Sequence, residues 1–236
     1  MPLRKRQRPG RRPAEKRGYV AHPTSHIAER RADERQRRRA QILDAAETSY
    51  SQEGWDGVTV DQVARTARLS RTLVYIYFRD KNDLLFGIGE RALQLLRDRF
   101  AAAAMRQARG LEQLEAIGRE YLVCAHELPH YFEVCSRLRA QSMSVKPGTN
   151  ESPCAVAADR VLWVLVHAIH VGLRDGSIRA DVGEPVLLAI TFLAFMHGTI
   201  QLSIARNKKF ARLGVSAPDF ANRAFELMLA TARSTQ

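Results

Sequence analysis

The 236-residue chain is predicted to be all-α on three observations. Apolar residues return every three or four positions along most of its length. No stretch alternates apolar and polar residues with β-branched enrichment, as a half-buried strand would. The apolar runs are also punctuated by helix-start residues (Thr59, Ser70, Asp80, Ser152-Pro153, Ser216-Ala217-Pro218) and by stops such as Gly54.

Charge separates a first segment from the rest. Residues 1–39 hold 14 Lys+Arg against 4 Asp+Glu, a net of +10, whereas residues 40–236 hold 23 against 21, a net of +2. The formal charge of +12 therefore belongs to the tail. With four prolines and almost no apolar residues, residues 1–32 are expected to be disordered, because they bury too little surface to offset the entropy of ordering. The tail reads either as an arm touching DNA phosphates or the minor groove, or as a solvated extension. No apolar stretch follows its positive start, so a secretory signal is not expected.

The first helix is expected from Asp33 to Gln52, with Ile42, Leu43, Ala46 and Tyr50 on one stripe and Gly54 ending it. Thr59 and Gln62 form a capping-box pair opening a second helix that runs to Ala67. After Arg68-Leu69, Ser70 caps a third helix, Arg71 to Phe78, and Asp80 caps a fourth, Lys81 to about Arg106, with Asp83 near its positive end. Further helices are expected at about 111–127, 129–142, 153–175, 184–207 and 217–233, and a loop over Ser144 to Glu151.

The second and third helices, joined by so short a turn, have the layout that inserts a helix into the major groove of DNA. Val74 and Phe78, four apart, anchor the third helix. Its other face offers hydroxyls, rings and a cation: Ser70, Arg71 and Thr72 at the N-terminus, then Tyr75 and Tyr77, with Lys81 following. Free amides, hydroxyls and an Arg at a helix start suit phosphate or base edges.

This segment resembles the N-terminal domain of the TetR family of bacterial transcriptional repressors. The matching residues are Ile42-Leu43-Asp44-Ala45-Ala46, Gly54, Thr59-Val60-Asp61-Gln62-Val63-Ala64, Ser70-Arg71, Tyr75-Ile76-Tyr77-Phe78 and Lys81-Asn82-Asp83-Leu84-Leu85. The resemblance implies that Thr59 and Tyr75 contact phosphate, that Arg71 and Thr72 face bases or phosphates, and that Tyr77 and Lys81 grip the backbone. Two positions depart from the family pattern. Arg68 stands where a small residue, often Gly, is usual, in a turn where a left-handed conformation is expected at a cost of about 1 kcal/mol; Arg68 itself is then a candidate phosphate contact. Thr72 replaces a position where Gly or Pro is common.

The resemblance also implies three regions: the tail 1–32, a helix-turn-helix domain 33–79, and a helical ligand-binding and dimerisation domain 80–236. Helices near 184–207 and 217–233 carry apolar residues on more than one side, including Leu187, Ile190, Leu193, Met196, Phe225 and Leu227, as helices with two neighbours do. A homodimer on double-stranded DNA is expected. Candidate ligand contacts are Tyr121, His126, Trp163, His167, Phe192 and Met196, bulky residues with a few polar atoms on helices expected to line the domain interior. Each also reads as ordinary core. A small apolar or amphipathic effector is expected, and no cofactor.

Other function classes find less support. No nucleophile-elbow, phosphate-loop or zinc-helix motif occurs, so an enzyme is not expected. His167 and His170 are three apart, but no carboxylate accompanies them, so scattered histidines are favoured over a metal site. Three cysteines, Cys124, Cys135 and Cys154, lack paired spacing and fit a reducing cytoplasm. The apolar runs Val161–Val171 and Val186–Met196 fall short of the ~20 residues needed to cross a bilayer. The alternative within DNA binding is a non-specific architectural protein using the basic tail. Competition distinguishes the two: a coating protein loses its fragment to bulk DNA, whereas a repressor holds its site by a ratio of roughly 10³ or more.

Overall fold

The computed structural model describes residues 23–139 and 149–234. They form ten helices: α1 (Pro23–Gly57), α2 (Val60–Thr66), α3 (Arg71–Tyr77), α4 (Lys81–Met105), α5 (Gly110–Glu127), α6 (Pro129–Arg139), α7 (Glu151–Asp175), α8 (Pro185–Ala205), α9 (Asn207–Arg212) and α10 (Ala217–Ala232). Among the described residues there is no strand, only an isolated bridge between Ile178 and Arg233. The all-α expectation holds.

The chain divides into two units, Met1–Ala40 and Gln41–Gln236. In the first, residues 23–40 are helical, and most of residues 26–40 are exposed. The expected disorder of residues 1–32 is thus corrected from Pro23 onward, while residues 1–22 lie outside the described residues. The start at Asp33 was read from apolar periodicity, which a helix without a buried face does not need. Proline at a first position has no N–H to lose, and the Ala, Glu, Arg and Gln that follow rank high in helix propensity. Arg38 and Glu34, one turn apart, pair at 2.9 Å.

In the second unit, Ile42, Leu43, Ala46 and Tyr50 of α1 are buried, as the stripe predicts. Gly54 (φ 70°) breaks the helical path. A first hydrophobic cluster gathers these residues with Trp55, Val63, Val74 and Phe78, and it continues past residue 79 into Leu84, Leu85 and Ile88 of α4. Val134 and Leu138 of α6 and Cys154 of α7 complete it. Arg91 of α4 adds polar ties to α1, reaching Asp44 at 2.7 Å and Glu47 at 3.2 Å.

A second cluster joins α4, α5, α7, α8 and α10 through Phe100, Ile117, Leu165, Phe192, Met196 and Phe225, among others. α8 divides by side: Ala189, Phe192, Leu193, Met196 and Ile200 are buried, whereas Leu187, Ile190 and Phe195 are exposed. The helices that contain the two apolar runs, α7 and α8, are 25 and 21 residues long. By length and composition alone they are therefore long enough to span a bilayer. The apolar runs are shorter than the helices because Arg160 and Gly172 bound the first and Pro185 and His197 the second. Both helices contribute to the second cluster.

Two helix boundaries and one cap differ from expectation. The expected helix at 184–207 is followed by a separate short one, α9. α6 is described only to Arg139, and residues 140–148, including most of the expected loop, lie outside the described residues. α7 begins at Glu151, two residues before Pro153, with Asn150 as its N-cap. Asn150 is drawn into that position because its backbone N–H donates to the buried carboxylate of Asp83, at 2.9 Å. The capping box at α2 is only half formed: Thr59 accepts from the Gln62 backbone N–H at 3.2 Å, but the Gln62 side chain donates to Glu53 instead of reaching back.

Candidate functional site

The α2–α3 turn is built by a Schellman arrangement. The Arg68 N–H donates to the Arg65 carbonyl at 3.0 Å and the Leu69 N–H to the Ala64 carbonyl at 2.9 Å. The Ala67 carbonyl accepts from the Gln41 side chain at 2.8 Å. This geometry requires a left-handed residue after the cap, and Arg68 supplies it at φ 55°, the only positive φ outside glycine among the described residues. The strain expected from the sequence is present.

Ser70 caps α3, its hydroxyl accepting from the Leu73 N–H at 3.2 Å. Val74 and Phe78 are fully buried, which fixes the helix and turns Arg71, Thr72 and Tyr75 outward. Thr59, Arg68 and Ser70 are exposed beside them. The predicted contacts are thus solvent-exposed, with two exceptions. Tyr77 is half-buried and packs against the first cluster, and Lys81 is half-buried at the base of α4. The Lys81 ammonium donates to the Asp56 carbonyl at 3.1 Å and lies 5.1 Å from the Trp55 ring centre.

Arg71 does not extend freely into solvent. Its guanidinium pairs with Asp61 at 3.1 Å, donates to the Tyr75 hydroxyl at 3.3 Å and lies 5.5 Å from that ring's centre. Asp61 on α2 thereby holds Arg71 and Tyr75 together on the exposed face. Sequence reasoning missed Ile76, 61 % exposed on α3. An apolar residue between two tyrosines reads as core, yet here it is an apolar group on a polar face, suited to a thymine methyl. Arg65 and Arg79 are also exposed, so this small region is locally basic although residues 40–236 are nearly neutral.

The six candidate ligand residues do not converge. Tyr121 lines a cavity of about 280 Å³ between α4, α6, α7 and α8. His126 lies in an outer groove with Ile200 and Pro218, whereas Trp163 and His167 lie in another, beside Met105. Trp163 is 59 % exposed, and His126 and His167 are exposed, which corrects the expectation that these three line the interior. The cause is the side of the helix they occupy: α7 buries Val161, Leu165, Val166 and Ile169, and Trp163 and His167 fall between those positions. Phe192 and Met196 are fully buried packing residues of the second cluster.

Around the cavity, sequence reasoning missed His197, Arg139 and Asp159. His197 is buried, stacked on Phe132 at 4.6 Å, with Nδ1 2.7 Å from the Tyr121 hydroxyl and Nε2 3.0 Å from Ser136 Oγ. Ser136 donates its one proton to the Phe132 carbonyl at 2.9 Å. It therefore accepts from Nε2–H, and Tyr121 donates to Nδ1. Burial, with Arg139 nearby, lowers the His197 pKa to about 4, so the ring is neutral at pH 7. Burial also pushes the thiols of Cys135 and Cys154 in the cavity wall up to about 11 and about 12. Arg139 and Asp159 line the cavity as exposed charges at its rim.

Two side chains join the cavity to the α2–α3 region. Leu138 and Cys154 line the cavity and also belong to the first cluster. Both press on α4 at Gly89, where an added Cβ would lie 2.2 Å from Leu138 Cδ1 and 3.2 Å from Cys154 Sγ.

Residues 42–88 match the family model for bacterial regulatory proteins of the tetR family. The HTH-type transcriptional regulator HbdR of Aromatoleum sp. (strain CIB) is 39% identical over 74 residues, 31% of this chain and 31% of that protein. The HTH-type transcriptional repressor Rv1474c of Mycobacterium tuberculosis is 34% identical over 70 residues, covering 30% of this chain and 35% of that protein. The chain thus matches about a third of the length of these relatives. The transcriptional regulator FadR from Bacillus subtilis, in complex with stearoyl-CoA, superposes with a TM-score of 0.64 at 16% identity, over 82% of this chain and 99% of that one. At that identity the likeness is one of fold.

Proposed function

Since residues 42–88 match the family model for bacterial regulatory proteins of the tetR family, we propose that the chain is a cytoplasmic, ligand-responsive transcriptional repressor of that family. It binds a palindromic operator as a homodimer and is released by a small apolar or amphipathic effector; the similarly folded FadR holds stearoyl-CoA in its crystal structure. Residues 33–79 read DNA, and residues 80–236 bind the effector and the second subunit. The observation that carries this reading is the outward face of α3, held by Val74 and Phe78 and presenting Arg71, Thr72 and Tyr75.

In this reading Thr59, Ser70, Tyr75, Tyr77 and Lys81 hold phosphates, Arg71, Thr72 and Ile76 meet base edges, and Arg68 reaches a flanking phosphate. The Arg71–Asp61 pair opens on DNA, where phosphate and base acceptors replace the carboxylate. Two copies of α3 sit about one DNA turn, ~34 Å, apart. The exposed side of α8, Leu187, Ile190 and Phe195, with Leu227 of α10, supplies the apolar area for the dimer.

The effector enters the cavity at Tyr121 and displaces Leu138 and Cys154, which bear on α4 at Gly89. α4 carries Leu84, Leu85 and Ile88 of the DNA-facing cluster, so its shift alters the separation of the two α3 helices. By linkage, effector weakens DNA binding by the same factor that DNA weakens effector binding.

Footprinting on genomic fragments tests the assignment, with a two-fold symmetric protected site expected. Tyr75→Ala is expected to weaken binding to that site at least tenfold while light scattering still gives a dimer. Wild-type affinity in the variant removes Tyr75 from the interface, and monomer mass at micromolar concentration overturns the symmetric arrangement.

A further inference from the structure

We infer that the first turn of α7 is a clamp on the C-terminal end of α3, and that Asn150 is a positioning residue for the DNA-reading helix, acting through the Tyr77 carbonyl. This rests on the DNA-binding reading and adds to it a residue 73 positions from its point of contact.

α3 needs such a tie. Its seven residues make about two turns, too few to hold a helix alone, and the last carbonyls of any helix have no partner within it. Ser70 caps the first turn, and Val74 and Phe78 bury the inner side. At the far end the Asn150 side-chain amide donates to the Tyr77 carbonyl at 3.3 Å. The joint that follows is gripped as well, because the buried Asp83 carboxylate accepts the Arg79 N–H at 3.0 Å on one oxygen and the Asn150 N–H at 2.9 Å on the other. Asn150 thus bonds on both sides of the α3–α4 joint.

Asn150 does not cap its own helix. An Asn at an N-cap ordinarily accepts an N–H of the first turn through its side chain, yet α7 has no such bond, and Thr149 Oγ1 accepts the Glu151 N–H at 3.2 Å instead. The side chain is turned toward α3. The Asn150 carbonyl accepts the Cys154 N–H at 3.3 Å, so a single turn of α7 separates the clamp from the cavity wall.

Hydrogen exchange on the full chain without DNA tests the clamp with two variants, Asn150→Ser and Asn150→Asp, which keep a good N-cap residue but lose the donor to Tyr77. Ser adds no charge beside Asp83, so it carries the test should the Asp variant not fold. The amides of Val74 and Phe78, both bonded within α3, are expected to exchange about tenfold faster or more, while those of α5 and α10 keep wild-type rates. A role confined to capping α7 or to overall stability gives no change in α3, or equal acceleration throughout; either overturns the inference. On DNA, the variants are expected to lose about fivefold or more in affinity for the footprinted operator and under about twofold for bulk DNA, because a displaced helix loses base contacts and not charge. Unchanged operator affinity, or an equal loss on both DNAs, removes Asn150 as a positioning residue. Absence of any footprint strikes the regulator reading alone, since exchange decides the clamp without DNA.

Discussion

Acidification places a proton on a ring that has no room for it. His197 is 7 % exposed and engaged at both nitrogens, as acceptor from Tyr121 and donor to Ser136. Protonation removes the acceptor at Nδ1 and sets a cation near Arg139, and the folded pKa is accordingly lowered to about 4 from 6.5. Between those two values the unfolded chain binds the proton and the folded one does not, so stability rises with pH across that window. The contribution is complete above pH 6.5 and is lost as pH falls toward 4. From pH 7 to pH 5 the loss is about 1–2 kcal/mol, the upper value if the ring stays in place and the lower if solvent reaches it. Urea unfolding at both pH values, at one fixed protein concentration, measures it. Other groups also titrate in this range, so the control is His197→Gln, whose amide accepts from Tyr121 and donates to Ser136 without titrating. The wild type is expected to lose about 1–2 kcal/mol more than the variant on acidification. Equal losses in the two proteins would refute the assignment of a neutral, doubly bonded ring.

Three other perturbations probe residues 1–88. Arg68→Gly relieves a left-handed residue and is expected to stabilise the fold by about 0.5–1 kcal/mol in thermal unfolding, while weakening operator binding; a gain in both, in thermal and gel-shift measurements, takes Arg68 off the phosphate. Asp83→Ala strips the acceptor from two backbone N–H groups, those of Arg79 at 3.0 Å and Asn150 at 2.9 Å. At about 1–3 kcal/mol for each orphaned donor, a total cost of about 2–6 kcal/mol is expected, with Asp83→Asn intermediate; a change under about 0.5 kcal/mol in either variant shows that these bonds are dispensable. Deleting residues 1–32 removes ten Lys and Arg. If they bind phosphate, the slope of log affinity against log salt flattens by about 0.9 for each phosphate the tail had neutralised, whereas an unchanged slope leaves the tail a solvated extension.

The sequence made the α2–α3 region legible because its interactions are local. Caps, a four-residue turn and the pair Val74 and Phe78 specify it within a few positions, and even the strain at Arg68 follows from where the turn must bend. The cavity was less legible for the opposite reason. On α7 most positions are apolar, so only the packing of α4, α5 and α8 decides that Leu165 faces inward and Trp163 outward. Arg139 reads in sequence as a solvated helix end, and only the packing of α6 on α4 and α5 sets it at the cavity rim. His197 was one of several scattered histidines until the fold set Tyr121 and Ser136 on either side of it. The start of α1 was misjudged because a helix without a buried face leaves no period to read.

The first hydrophobic cluster has a consequence for engineering. It reaches Ile88 on α4, the residue at which the family match also stops, and then draws on Val134, Leu138 and Cys154 from distant sequence. A recombinant swap of DNA-reading segments between relatives, cut at the turn before Lys81, would divide this core and leave each half facing side chains selected for another neighbour. The workable junction lies after Ile88, and the transplanted segment needs matching residues at 134, 138 and 154 in its new host. On the proposed reading, operator preference in such chimeras is portable only as a package of one contiguous stretch and three outlying positions.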